Sequence, residues 1–318
     1  MTRVGTFSHH QMIVQEMLRN QSRNFESQRR VASGQNADHF KDISRETPAL
    51  LGAKSIQTRL EGYQRDNVFV GMRLDTYNVT LQSLEGVAQS VRKSVFDALS
   101  TGSSLEFADA IEAQFGIAVG LLNTRLDGKA IFGGTNTGVD PVNISSVTEL
   151  LALAEPPSAA FSNNSTKPSA KIDDTVTMDY GVLADEVGQD LFEAIQRILL
   201  FNSGTLPTGA GAFAPAGAFN DPMDANQIEF LTNELARLET VTRDLAVQSA
   251  RNGIHMNQLE ETDIRQEMHL SFTVKFITEI EDTDMAEAVA NLNQDQVALD
   301  VSMAMLSRVS QTTLLDFL

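Results

Sequence analysis

The residues best suited to chemistry in this chain are its histidines, one acidic run and one glycine-rich turn. Histidine is the common metal ligand and the usual base near neutral pH. His9 and His10 are adjacent, so on a helix they point to different faces and cannot hold one ion at an i, i+4 spacing. His255 and His269 are fourteen residues apart, also outside ligand spacing. Glu281-Asp282-Thr283-Asp284 offers carboxylates to a cation, yet it lacks the sixth-position Gly and twelfth-position Glu of an EF-hand loop. It reads better as the acidic start of a helix, where negative charge meets the positive end of the dipole. Gly133 to Gly138 could suggest a phosphate loop, but no Gly-Lys-Ser/Thr follows and Pro141 blocks a directly following helix. With no cysteine, disulfides, thiolate zinc sites, iron–sulfur clusters and cysteine nucleophiles are excluded together. No Gly-x-Ser-x-Gly elbow is present. No catalytic, cofactor-binding or metal-binding residue is expected, and the chain reads as a non-enzyme.

The elements that would position any site come next. The chain has 318 residues, enough for roughly two domains. Its net charge of −18 argues against nucleic acid and anionic membrane surfaces as partners, since both need clustered Lys and Arg. An apolar content of 42% supports a folded core, while 6% aromatics is lean for a globule. The longest run of apolar residues and glycine, Phe115 to Leu122, is too short to span a bilayer. Residues 8–20 are too polar for the h-region of a cleaved signal. A cytoplasmic protein, or one exported through an uncleaved N-terminus, fits this.

Hydrophobic periodicity is the strongest signal. Stepping alternately by four and three from Ile56 gives Leu60, Tyr63, Asn67, Val70, Leu74, Tyr77, Leu81, Leu84, Ala88, Val91, Val95 and Ala98. Only Asn67 is polar in that series, so a coiled-coil helix of roughly 65 Å is predicted, with Asn67 fixing register. A second seam runs from Ile228 to Ile280, with a weaker stretch from Thr242 to Asn252 beside Gly253, where a kink or a wet segment is expected. Asp221-Pro222 reads as its start signal. The chain ends carry a third set. Phe7, Gln11, Val14, Leu18, Gln21, Phe25, Gln28 and Ala32 alternate at one end; Met285, Val289, Leu292, Gln296, Leu299, Met303, Leu306 and Ser310 at the other. Residues 1–30 hold five Arg against two Glu, and residues 279–318 hold eight acids against one Arg. Opposite charge steers pairing. The two terminal helices are therefore expected to pair with each other, or with the opposite terminus of a neighbouring subunit.

The middle differs. Gly133 to Pro141 is turn chemistry, 155–169 a loop, Lys171 to Tyr180 a strand, Leu183 to Phe201 a helix and Ser203 to Gly217 another loop. The expected fold is mainly α: an elongated rod of long antiparallel coiled-coil helices from both chain halves, with a small α+β insertion. The domains read as an N-terminal helical arm over 1–138, an inserted α+β domain over 139–222, and a C-terminal arm over 223–318 that returns to pair with the first. Two functional classes suit this organisation: a self-assembling structural subunit, or an intracellular helical scaffold.

Several segments resemble the flagellin family, and within it the hook–filament junction branch. Gln28-Arg29-Arg30-Val31-Ala32-Ser33-Gly34 is similar to the family's first helix end. Leu126-Asp127-Gly128-Lys129-Ala130-Ile131-Phe132-Gly133-Gly134-Thr135-Asn136-Thr137, with Pro141 behind, is similar to the turn leaving its first rod helices. Ala250-Arg251-Asn252-Gly253, Ile280 to Ala288 and the tail Thr313-Leu314-Leu315-Asp316-Phe317-Leu318 are similar to its returning arm, last helix entry and end. Arg45-Glu46-Thr47-Pro48-Ala49 stands where the family often has Asp-Asp-Pro-Ala.

The resemblance implies a mechanical role outside the cell: export without a cleaved signal through the flagellar type III channel, then self-assembly as a ring joining hook to filament. The implied partners are the chain itself, a hook-side junction protein, the flagellin of the filament, and an export chaperone and apparatus, with no nucleic acid and no membrane insertion. Assembly would run through the terminal helices, with Phe7, Val14, Leu18, Phe25, Leu292, Leu299, Met303, Leu306, Leu314, Leu315 and Phe317 as packing positions. A minor filament flagellin is the alternative within the family.

Overall fold

A computed structural model of the chain describes residues 2–36 and 45–315, with side chains over 11–36 and 45–308. In chain order the elements are α1 (Thr2–Ser33), α2 (Thr47–Thr101), α3 (Phe107–Leu122), β1 (Arg125–Leu126), β2 (Lys129–Ala130), α4 (Val147–Leu151), β3 (Ser169–Lys171), β4 (Thr177–Asp179), α5 (Ala184–Asn202), α6 (Ala225–Glu281) and α7 (Met285–Leu315). β1 pairs with β2 and β3 with β4, both antiparallel. The fold is mainly α, as the heptads require. The described residues form two compact units, one from the segments up to Glu61 and from Glu267 onward, the other over Gly62–Gln266. Helices α2 and α6 each contribute to both.

In the larger unit the α2 seam is buried at every heptad position from Asn67 to Ala98. Each buried Leu or Val there stabilises by about 1.5–3 kcal/mol relative to exposure. The α6 seam faces it: Leu231, Leu238, Leu245 and Leu259 are buried, while Ile228 at its start is exposed. The two helices run antiparallel, because Asn67 meets Asp263 and Gln266 whereas Leu74, further along α2, meets Asn252, earlier on α6. The polar seam positions are bonded. Asn67 Nδ2 donates to Asp263 Oδ1 at 2.7 Å, Gln266 Nε2 to the Ile172 carbonyl at 2.7 Å, and Asn252 Nδ2 to the Leu74 carbonyl at 2.9 Å. Helix α6 stays helical through Gly253. It starts three residues after the predicted cap: Asp224 Oδ1 accepts from the Gln227 amide at 2.9 Å, and Gln227 Oε1 accepts from the Asp224 amide at 3.3 Å. This reciprocal pair satisfies two amides that would otherwise lack partners, and Asp221-Pro222 precedes it in the loop.

The predicted single strand over Lys171–Tyr180 is a hairpin. β3 and β4 pair Ser169 with Asp179 and Lys171 with Thr177, and the Ile172 amide bonds the Val176 carbonyl at 3.0 Å across the turn. Asp173 and Asp174 break the alternation there, which favours a reversal over a continuous strand. Helix α5 matches its predicted span and is buried almost all round, with Leu191, Phe192, Ile195 and Ile198 inside. It packs against α3 and α4, and Phe115 meets Phe192 edge-on at 5.0 Å. The lean aromatic content is thus concentrated here. Phe201 also stacks on Phe230 at 4.1 Å, joining α5 to α6.

Arg197 forms a charged centre in this unit that the sequence did not point to. Its guanidinium bonds Glu234 on α6 at 2.9 Å, Glu155 at 3.3 Å and the Thr208 carbonyl at 2.7 Å. All three charged side chains are under a tenth exposed. Burial alone would push the Arg197 pKa down, but the hydrogen bond and charge of Glu234, with Glu155 behind, hold it above the usual arginine value.

In the smaller unit Leu50 and Ala53 of α2 pack on Ile277 of α6, and Lys54 bonds Glu281 at 2.5 Å. Ile56, the first predicted seam residue, is exposed instead. The heptad enters through Leu50, Ala53 and Leu60, which are buried.

Candidate assembly interface

Helices α1 and α7 pack along each other within the smaller unit. They run antiparallel: Asn20 Nδ2 donates to Ser302 Oγ at 2.7 Å, and Ser27 Oγ donates to Asp295 Oδ2 at 2.6 Å. Pairing of the two termini follows the expectation from their charges. The register does not. The inward positions of α1 are Ile13, Met17, Asn20, Asn24, Ser27 and Val31, which are buried or half-buried. That series alternates four and three like the predicted one but starts one residue earlier, about 100° round the helix.

The predicted packing positions are therefore divided. Val14 is half-buried, but Leu18 is 53% exposed and Phe25 is 68% exposed, both facing away from α7. On α7 the inward series is Ala288, Leu292, Asp295, Leu299, Ser302 and Leu306. Leu292, Leu299 and Leu306 thus lie in the pair with α1, while Met303, with Met285 and Val289, is exposed. The side chains of Phe7, Leu314 and Leu315 and all of Phe317 lie outside the described residues.

The inner seam is polar where it is most enclosed. Asn20 and Asn24 are only 6% and 5% exposed. Arg23 donates to Asn20 Oδ1, and Gln28 Nε2 to Asn24 Oδ1 at 2.8 Å. Asn24 Nδ2 is buried with no partner. An unpaired buried donor costs about 1–3 kcal/mol, so this pair is weak by itself. Arg19 and Arg30 bond Glu16 and Glu26 along α1 rather than reaching α7.

Two of the segments that suggested a family meet at the base of the pair. Gly34 ends α1 with φ of 70°, a left-handed conformation that glycine adopts without strain. The next residues clasp the α6–α7 break. The Asn36 amide bonds the Glu281 carbonyl at 2.8 Å, Asn36 Nδ2 the Asp282 carbonyl at 2.8 Å, and the Thr283 amide the Gly34 carbonyl at 2.9 Å. Asp284 then caps α7, accepting from the Ala286 amide at 2.8 Å. The acidic run is a helix start, and its carbonyls are used by Asn36.

The glycine-rich turn is also structural. Tyr77 Oη donates to the Ile131 carbonyl at 2.5 Å, and its ring meets Phe132 edge-on at 5.2 Å. A Cβ on Gly133 would collide with the Asn136 carbonyl, and Gly134 has φ of 66°. His255 Nδ1 is buried without a partner, and burial lowers its pKa against the opposing pull of Asp179. Among the described residues no group of three His, Cys, Asp or Glu is placed to hold a metal, and no helix is long and apolar enough to cross a membrane.

The geometry is thus that of two paired terminal helices whose shared seam mixes apolar residues with Asn20, Asn24, Ser27, Asp295 and Ser302, and which leave Leu18, Phe25, Val289 and Met303 exposed. Residues 235–318 match the bacterial flagellin C-terminal helical region. No curated protein matches the chain. Among solved structures, one assigned as a flagellar hook-associated protein from Vibrio parahaemolyticus superposes with a TM-score of 0.50 at 17% identity, over 74% of this chain and 99% of that one. Bacillus cereus FlgL superposes with a TM-score of 0.52 at 12% identity, over 72% of this chain and 99% of its own. The C-terminal part of the chain is thus similar to the helical region of bacterial flagellins. Its fold is similar to that of FlgL.

Proposed function

We propose that this protein joins hook to filament in the bacterial flagellum, assembling as a ring through its terminal helices. The observation that carries the reading is the exposure of Leu18 and Phe25 on α1 beside Val289 and Met303 on α7, over a seam that buries Asn20 and Asn24. Apolar residues left outside a weak polar pair are stabilised when other subunits cover them. The chain reaches this place through the flagellar type III channel with its N-terminus uncleaved, held beforehand by an export chaperone. It contacts a hook-side junction protein on one side and filament flagellin on the other. It performs no catalysis.

A minor filament flagellin is the second reading, favoured by the flagellin match over 235–318. Immunogold microscopy of intact cells with an antibody to residues 139–222 separates the two. A single band at the hook–filament boundary supports the junction role. Label along the filament makes the chain a flagellin, and label confined to the cell interior overturns both. Deleting residues 309–318 is expected to abolish incorporation while leaving the helices intact by circular dichroism; full incorporation of the shortened chain would refute assembly through the termini.

A further inference from the structure

Oxidisable chemistry in this chain falls on one residue type. It has no Cys and no Trp but 11 Met, so the thioether is the side chain open to peroxides. The fold places these sulfurs unevenly. Met178 and Met223 are buried in the larger unit. Met12 on α1 and Met285, Met303 and Met305 on α7 are exposed, as are Met72 on α2 and Met268 on α6.

The terminal helices draw much of their outer apolar surface from methionine. Among the described residues of α7, the exposed large apolar side chains are Met285, Val289, Val297, Val301, Met303 and Met305. Val297, Val301 and Met305 follow at four-residue steps and so share one face. On α1, Met12 joins Leu18 and Phe25. Oxidation turns a flexible apolar side chain into a polar one. At an exposed position this leaves the packing of the free subunit alone and alters only the surface that another chain would cover.

We propose that Met12, Met285, Met303 and Met305 are sites of sulfoxidation by peroxides, and that the sulfoxide form stays out of assembly until it is reduced. The thioether sulfur attacks one oxygen of hydrogen peroxide. An S–O bond forms as the O–O bond breaks, the sulfur gives up two electrons, and the second oxygen leaves as water with both protons. A methionine sulfoxide reductase reverses the change. This rests on the assembly reading above and adds a chemical control to it.

Purified full-length chain would be treated with hydrogen peroxide, quenched, and mapped by peptide mass spectrometry, each sulfoxide adding about 16 Da. The four sites, with Met72 and Met268, should gain oxygen before Met178 and Met223. Equal rates at exposed and buried sulfurs would overturn the assignment. Circular dichroism should be unchanged by the treatment; lost helix would overturn the proposal, because the defect would then be one of folding. Treated chain is next added to flagellated cells that lack it, and the amount held on sheared flagella is measured. Incorporation should fall at least about tenfold, a factor that losing the burial of one methionine side chain already exceeds. Incubation with the reductase should restore it. A chain carrying Met12→Leu, Met285→Leu, Met303→Leu and Met305→Leu still oxidises at Met72 and Met268, yet should incorporate equally before and after peroxide. If that variant does not fold, rescue by the reductase decides alone. Undiminished incorporation of the oxidised parent, no rescue by the reductase, or a folded Leu variant that peroxide still excludes would each overturn the proposal and leave the assembly reading intact. Untreated parent chain missing from the flagella would overturn both.

Discussion

Arg197→Ala removes the cation between two buried carboxylates. Glu234 is 3% exposed and Glu155 9%, and Arg197 bonds both as well as the Thr208 carbonyl. Truncating one member of a buried charged set costs about 3–5 kcal/mol, because the remaining charges stay buried without compensation. Unfolding a domain in urea has a slope of about 1–3 kcal/mol/M, so the midpoint should fall by about 1–5 M. Far-UV circular dichroism in urea reads this, provided the slope is unchanged from the parent. The same residues tie α5, α6 and the loop at Thr208, so limited proteolysis should open 203–217 in the variant. Replacing Arg197, Glu155 and Glu234 together by apolar residues of similar size should recover most of the loss, since no charge is then stranded. A midpoint shift below about 0.3 M for Arg197→Ala, or a triple variant as weak as the single one, would show that the cluster is not compensated as described.

Three further outcomes follow from the larger unit. Gly133→Ala should lower the melting temperature by several degrees, because its Cβ meets the backbone carbonyl of Asn136, which cannot move as a side chain could; an unchanged melt would refute that clash. Burial pushes the Tyr77 phenol up to about 12 from 10.0. The unfolded chain loses this proton first, so its contribution is fully present below pH 10.0 and lost as pH rises towards about 12, and stability measured over that window should fall less steeply in Tyr77→Phe. His255 runs the other way on the acid side: burial lowers its pKa below 6.5, the unfolded chain takes up the proton first, and stability should drop as pH falls through 6.5. An NMR titration of His255 with a midpoint at or above 6.5 would contradict its burial.

The long seams were legible because burial along α2 and α6 is dictated by a pattern repeated over many turns. A heptad error at one position is outweighed by the rest, and only the ends slipped, at Ile56 and Ile228. The Lys171–Tyr180 segment was misread because one apolar alternation serves a strand and a hairpin equally; Asp173 and Asp174 carried the turn. Asn67 read as a polar register position, yet it and Gln266 both donate to the Ile172 carbonyl, and Asn67 donates to Asp263 as well. Their partner comes from a hairpin about a hundred residues away, which no local pattern reveals.

The sequence by itself determined that the chain is mainly helical and that its ends are amphipathic and oppositely charged, suited to pairing within one subunit or between two. These follow from composition and periodicity, which act locally. Only the tertiary structure decided which face of α1 meets α7. The seam through Leu18 and Phe25 is more apolar, but the adjacent seam supplies Asn20 and Ser27 to Ser302 and Asp295. A choice between two faces 100° apart is made by the partner helix, because hydrogen-bond complementarity belongs to the pair and not to either strand of sequence.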